Sequence, residues 1–308
     1  MGTYKHIPVL WKEVLEYVQS ASCSPSGTFV DCTLGEGGHS EIFLREFPNA
    51  KVIAFERDEN ILAVAKERLA SFGGRIKFIN DNFANIDKYL NKEDISFMLY
   101  DFGISSYHYE SNRGFSFAFE ENLDMKLDDM GDVNACDVVN TFNEKQLADI
   151  IYTLGEERFS RRIARRIVEK RKETPIETTT ELAEIVLRAI PKKFHVKNIH
   201  PATRVFQALR IYVNDELNAI RKSLKLSYEY IKQGGLILAI SFHSLEDRLV
   251  KQHFRNLSKG CLCNEEPCNC MYNPFVKLIT KKPVTPQEEE LSTNNRARSA
   301  KLRVCEKL

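Results

Sequence analysis

Phe29-Val30-Asp31-Cys32-Thr33-Leu34-Gly35-Glu36-Gly37-Gly38-His39-Ser40 joins a short apolar run to a glycine-rich turn and then to residues with helical patterning. A glycine turn straight after a strand lets the backbone approach a ligand, and the helix that follows offers it free N–H groups. Alone, such a loop is weak evidence, because several nucleotide sites share it. Ser40 stands where a dinucleotide fingerprint has its third glycine, and Asp31 and Glu36 put carboxylates beside the turn. Carboxylates would repel a pyrophosphate but suit the ammonium and sulfonium groups of S-adenosylmethionine.

Outward from this loop, Thr28–Thr33, Lys51–Glu56, Ile76–Ile79 and Ser96–Asp101 read as buried strands, with helices expected over Ser40–Phe47 and Glu59–Phe72. Asp58 is placed to cap the second helix, and Gly73-Gly74 to end it. Alternation of this kind builds a parallel sheet with helices on both faces. Three strand ends then fall where a nucleoside cofactor needs them. Glu56, 18 residues after Gly38, can accept from ribose hydroxyls; Asp81-Asn82-Phe83 offers polar groups and an aromatic face; Asp101 sits at the carboxyl edge of its strand. A helix-start charge at Glu56 and plain core packing of Phe83 are the competing readings.

The alternation stops near Tyr109, and helices are expected at Lys145–Leu154, Glu157–Lys172, Thr180–Ile190 and Thr203–Leu224. Strand character returns at Gly234–Ser241 and Ser299–Glu306, while Lys281–Asn295 reads as an exposed linker. The expected architecture is an α/β, Rossmann-like sheet domain, residues 1–108 and 213–308, interrupted by an all-helical insertion at 109–212.

With 308 residues, 43% hydrophobic and 28% charged, the chain can bury a full core, and no apolar run is long enough for a membrane helix. Scattered Cys23, Cys32, Cys136 and Cys305 favour a reducing, cytoplasmic setting. The net charge of +1 conceals an acidic first half: residues 1–155 carry 14 basic against 25 acidic side chains, 156–222 carry 16 against 9, and 223–308 carry 14 against 9. That asymmetry suits a polyanionic partner, and ordinary solvated helix faces are the alternative.

The chain resembles the bacterial small-subunit (16S) ribosomal RNA methyltransferases of the H type, which methylate cytosine at N4. The motifs run through the whole sequence: Tyr4–Leu10, the Gly35–Ser40 loop, Asp101-Phe102-Gly103-Ile104-Ser105-Ser106, Arg113–Phe117, Leu123-Asp124-Met125, Gly155–Phe159, His200–Ile211, Ser241–Arg248 and Asn295–Ser299. The resemblance implies S-adenosylmethionine as cofactor, an inserted helical domain that recognises substrate, and action on a cytidine in the decoding region of the small subunit's RNA. It also implies cofactor contacts at Gly37, Gly38, His39, Glu56, Phe83, Asp101 and His108. The family more often has Asp where Glu56 stands and Pro-Gln where Tyr107-His108 stands.

A cytosine amine is a poor nucleophile, so catalysis is mostly alignment plus an acceptor for its N–H. Asp101, Ser105 and Ser106 are the candidates for that acceptor. A base leaving its stack needs apolar walls and cationic contacts to its backbone. Phe115, Phe117 and Phe119 near Arg113 are candidate walls, and Arg158, Arg162, Arg165 and Arg166 form a basic stripe opposite Phe159, Ile163 and Ile167. A hydrophobic lid and a solvated helix face are the respective alternatives. His243, Glu246 and Asp247 after the later strand could also line the site, whereas His200 reads as a packed loop residue.

Cys261, Cys263, Cys268 and Cys270 supply four thiols within ten residues, which could close a structural tetrahedral zinc site or stay free. Two rival functions stay open: an NAD-dependent oxidoreductase on the same loop, and an RNA-binding assembly factor without catalysis. Whether the chain acts alone or as a homodimer is also open.

Overall fold

A computed structural model of the chain describes residues 7–92, 94–128, 131–197, 199–260 and 273–308. It divides into two compact units, Met1–Ile104 with Leu217–Leu308, and Ser105–Glu216. Among the described residues no helix is long and apolar enough to cross a membrane.

The first unit runs α1 (Trp11–Gln19), β1 (Thr28–Asp31), α2 (Gly38–Glu46), β2 (Lys51–Phe55), α3 (Glu59–Arg68), β3 (Ile76–Ile79) and β4 (Ile95–Asp101). The helical unit then supplies α4 (Ser106–Glu110), α5 (Ala135–Thr141), α6 (Glu144–Gly155), α7 (Ser160–Arg171), α8 (Thr179–Ala189) and α9 (Thr203–Val213). The chain returns through α10 (Glu216–Tyr230), β5 (Ile231–Ser241), α11 (Ser244–Ser258), β6 (Val276–Leu278), α12 (Glu288–Thr293) and β7 (Lys301–Lys307). Among the described residues seven strands form one sheet in the order β3-β2-β1-β4-β5-β7-β6. The first five pair in parallel and β7 runs antiparallel to both its neighbours.

Alternate residues of β4 show why the sheet is covered on both sides. Phe97 and Leu99 join a core with Phe29, Phe43, Leu62 and Leu69, contributed by β1, α2 and the α3 region. Phe29 and Phe43 stack with ring centroids 4.2 Å apart. On the opposite face the Tyr100 hydroxyl shares a 2.7 Å hydrogen bond with Ser223 of α10. Burial on both faces accounts for the near-continuous apolar runs of the strands. The order reverses between β1 and β4, and that switch point sets a crevice beyond their carboxyl ends.

Asp58 caps α3 as its sequence position predicts, its Oδ1 accepting from Asn60 N–H at 2.9 Å. Gly73 takes the left-handed φ of +53° in the short turn after that helix. In the helical unit, α5, α6 and α8 each begin with a reciprocal capping box, at Asn134/Asp137, Asn143/Gln146 and Thr178/Glu181. Gly155 ends α6 where a Cβ would lie 2.5 Å from the Arg204 carbonyl oxygen, so close packing against α9 requires glycine there.

Three expectations need correction. The helix expected over Thr203–Leu224 breaks at Asn214-Asp215, with Asp215 at φ +49°. Asn214 spends its amide on the turn before α5, donating to Met125 O at 2.7 Å and accepting from Leu127 N–H at 2.8 Å. The helix expected from Glu157 begins at Ser160, because Glu156 is left-handed at φ +50° and the Glu157 carboxylate accepts from Phe159 N–H. Lys281–Asn295 is not a bare linker: Val284 bridges Leu302 in both directions, and α12 lies within it.

Candidate active site

The loop after β1 is built from its own acids. Asp31 is 1% exposed and accepts from Ser40 Oγ at 2.7 Å and from Thr33 N–H at 3.2 Å. Burial raises its carboxyl above the ordinary range, with Ser40 opposing. Asp31 therefore folds the turn rather than facing a cofactor, and the serine in place of a third glycine is its partner. Gly37 takes φ +84° as the residue before α2, and Gly38 and His39 open that helix.

Glu56 follows β2 and reaches back to the same loop. One carboxylate oxygen accepts from Gly35 N–H at 3.0 Å and the other from Asp58 N–H at 2.9 Å. Burial pushes the Glu56 carboxyl up to about 7, against the pull of those two N–H groups. Each oxygen keeps lone-pair capacity for a further donor, which is what ribose hydroxyls require.

Asp101 ends β4 with its own N–H donating to Thr33 Oγ1 at 2.6 Å. Its Oδ2 lies 3.5 Å from His39 Nε2. Asp101 Oδ1 and His39 Nε2 are both buried without a hydrogen-bond partner among the described residues. Buried polar atoms are normally satisfied, so two atoms without a hydrogen bond at the switch point mark a place for a polar ligand. Phe83, at the start of the short turn after β3, is half-buried within a cluster of Tyr100 and Phe102, its ring centroid 5.9 Å and 6.1 Å from theirs. Asp81 is engaged locally by Asn85 and Tyr89.

Gly37, Gly38, His39, Glu56, Phe83 and Asp101 thus all belong to the sheet unit, around the carboxyl ends of its first four strands. His108 belongs to the helical unit, 4% exposed and packed on the Phe115 ring at 5.1 Å. Ser105 caps α4 by accepting from Tyr107 N–H, and Ser106 is the first residue of that helix. Sequence reasoning missed Thr33, whose only signal was its place in the loop, and the Gly35–Glu56 link, which joins residues 21 apart and has no local signal.

Other candidates have structural duties. Glu246 is fully buried and accepts from Phe242 and His243 N–H, forming the capping box of α11 with His243. Asp247 makes a bidentate pair with Arg303 of β7 at 2.7 and 3.2 Å. His200 is a loop residue, exposed yet with its ring tilted against Phe117 at 4.9 Å, and its Nδ1 accepts from Ala202 N–H. Phe115 is buried and Phe117 half-buried, leaving Phe119 as the exposed member of that trio. Cys261, Cys263, Cys268 and Cys270 lie outside the described residues.

Arg158, Arg162, Arg165 and Arg166 are all exposed, with Ile163, Ala164 and Ile167 buried beneath them. The Arg158 guanidinium lies 4.9 Å from the Phe159 ring and 4.3 Å from the Phe194 ring. Arg166 pairs with Glu169 at 2.9 Å and Arg165 with Glu144 at 3.7 Å. Arg113 is half-buried over Phe115.

A doubly wound sheet with a glycine turn after β1, an acid after β2 and an acid with one unpartnered oxygen at the end of β4 defines a Rossmann-like nucleoside-cofactor protein, of the S-adenosylmethionine-dependent methyltransferase class. The chain belongs to the MraW methylase family, whose model matches residues 3–308. It is 45% identical over 311 residues to the ribosomal RNA small subunit methyltransferase H of Carboxydothermus hydrogenoformans, covering 99% of this chain and 98% of that one. It is 46% identical over 306 residues to the protein of that name from Nostoc punctiforme, covering 99% and 95%. The Clostridioides difficile protein of that name is 43% identical over 312 residues, covering 99% of each.

The methyl donor of this class is S-adenosylmethionine, and the residues present fit it. Glu56 would offer acceptors to a ribose, Phe83 an apolar face to an adenine, and Asp101 a carboxylate oxygen to a cationic or N–H-bearing group.

Proposed function

We propose that the chain methylates N4 of a cytidine in the decoding region of small-subunit ribosomal RNA. Support comes from the names of its relatives, from the motif resemblance, and above all from the unpartnered Asp101 oxygen at the switch point. When bound, S-adenosylmethionine supplies an electrophilic methyl group on its sulfonium. The chain's own residues hold the donor and prepare the amine. Glu56 and the Gly37–His39 turn hold the nucleoside end. Asp101 Oδ1 accepts one N–H of the cytosine amine, which keeps the nitrogen lone pair aimed at the methyl and receives the proton after transfer. The Ser105 and Ser106 hydroxyls are the alternative acceptors. His39, near Asp101 Oδ2, orients the carboxylate.

The helical unit, about residues 109–212, serves substrate recognition in this reading. Arg113, Arg158, Arg162, Arg165 and Arg166 contact the RNA backbone, and Arg158 on its two phenylalanines offers a flat cationic surface to an unstacked base. Replacing Arg158 and Arg162 by alanine is expected to raise KM for the RNA substrate several-fold and leave kcat unchanged. The salt dependence of binding should flatten by about one unit of slope for each phosphate that the variant no longer neutralises. Arg165 and Arg166 variants should act more weakly, because those guanidiniums already have acidic neighbours. A doubly substituted protein with unaltered KM and salt slope removes the stripe from the RNA site.

The deciding experiment is transfer of labelled methyl from S-adenosylmethionine to small subunits and to naked RNA, followed by mass spectrometry of the nucleosides. N4-methylcytidine is the expected product. Binding of RNA without incorporation on either substrate would favour an assembly factor, and methyl on C5 would refute the N4 assignment.

A further inference from the structure

Two segments nearly 300 residues apart in sequence fasten to each other beside the first turn of α2. Leu10 N–H donates to Glu290 Oε1 at 2.9 Å, and the Asn294 amide donates to Ile7 O at 3.1 Å. Lys12 and Glu289 make an exposed ion pair at 3.1 Å alongside. Pro8, between these ties, lies so close to Gly38 that a Cβ there would be 2.4 Å from Pro8 Cγ.

The fastening is strained and specific. Leu10 is fully buried yet left-handed, at φ +55° and ψ +27°, a conformation costly for a γ-branched side chain and sustained only by its surroundings. Glu290 accepts from the Leu10 N–H in this conformation. Burial raises the Glu290 carboxyl above its ordinary range, with the Leu10 N–H, His39 and Lys12 opposing. The six-residue α12 has no buried residue of its own, so it contributes little to the core. Its docking ties residues 7 and 10, on either side of the Pro8 that packs on Gly38.

We propose that this clasp forms one wall of the S-adenosylmethionine site, with Glu290 a positioning residue that acts through Leu10 and Pro8 on the Gly38–His39 turn. The inference rests on the reading of that turn as the methyl-donor site. Opening the clasp frees the turn, and the donor must then order it on binding, which weakens affinity without touching the RNA surface.

The test is calorimetric binding of S-adenosylhomocysteine to the full chain, with Tm measured on the same samples. Glu290→Ala is expected to weaken binding about tenfold, or about 1.4 kcal/mol, near the lower end for a hydrogen bond to a charged acceptor. KM for the methyl donor should rise similarly, with kcat and KM for RNA unchanged. Glu290→Gln keeps an acceptor for Leu10 N–H and should recover most of the affinity, and Pro8→Ala should reproduce part of the loss. Glu289→Ala, at the exposed ion pair, should match the unmodified chain. Unaltered affinity in both Glu290→Ala and Pro8→Ala overturns the proposal. So does a loss of affinity matched by a large fall in Tm, which would make the clasp a stability element. Failure of the unmodified chain to bind S-adenosylhomocysteine would instead overturn the donor-site reading itself.

Discussion

Asp101→Ala is expected to lower kcat for methyl transfer by about a hundred- to ten-thousand-fold, the range spanned by a positioned acid–base group. The fold should survive, because the backbone N–H of residue 101 still donates to Thr33 Oγ1. Tm should hold or rise, since the substitution removes a buried carboxylate oxygen that has no partner among the described residues of the free protein. KM for RNA should stay within a few-fold. Asp101→Asn separates the two duties of the carboxylate: it still accepts an N–H but cannot take up a proton. If proton transfer dominates, Asn should be nearly as slow as Ala; if alignment dominates, Asn should recover much of the rate. Steady-state kinetics with labelled donor reads both. An alanine variant with near-normal kcat would shift the acceptor role to Ser105 or Ser106.

The second large effect falls on donor binding. Glu56→Gln should weaken S-adenosylhomocysteine by about a hundredfold, or about 2.7 kcal/mol, because charged acceptors contribute roughly 1.5–3 kcal/mol per hydrogen bond. Glutamine is the informative replacement. Alanine would also strand the Gly35 and Asp58 N–H groups that the carboxylate now satisfies.

The pH dependence has two opposite signs. In the free protein the Glu56 carboxyl is raised from 4.5 to about 7. The stability this confers is therefore fully present below 4.5 and is lost as pH rises through about 7. Relative to Glu56→Gln, the unmodified free protein should lose Tm between about pH 5 and about pH 8. Donor binding runs the other way, since ribose hydroxyls prefer the carboxylate. Affinity should rise from about pH 6 to about pH 8, by up to about tenfold given that roughly a tenth of the groups are ionised one unit below the pKa. Binding near neutrality should release protons, measurable by calorimetry in buffers of different ionisation enthalpy. A flat affinity profile would take Glu56 out of the ribose site.

How the candidate site became legible depended on how local its causes were. Glycine at residues 35, 37 and 38, straight after an apolar strand run, announces a turn followed by a helix N-terminus from sequence alone. Glu56 and Asp101 were found because strand ends are visible wherever the apolar runs stop. The direction of a carboxylate was not visible. Asp31 and Glu56 look alike in the sequence, yet Asp31 turns inward to Ser40 while Glu56 spans two loop N–H groups. Likewise Asp247 sat at helical spacing from His243, but Arg303, 56 residues on, holds it.

Sequence by itself determined the alternating strands and helices, the helical interruption, the glycine turn and the family motifs, because propensity, periodicity and spacing act within a few residues. Tertiary structure alone decided the break at Asn214, the inward turn of Asp31, the unpartnered Asp101 oxygen and the docking of α12 on Leu10. Each of these turns on hydrogen bonds between distant segments, or on their absence once the sheet has closed, and no local pattern encodes which distant partner arrives.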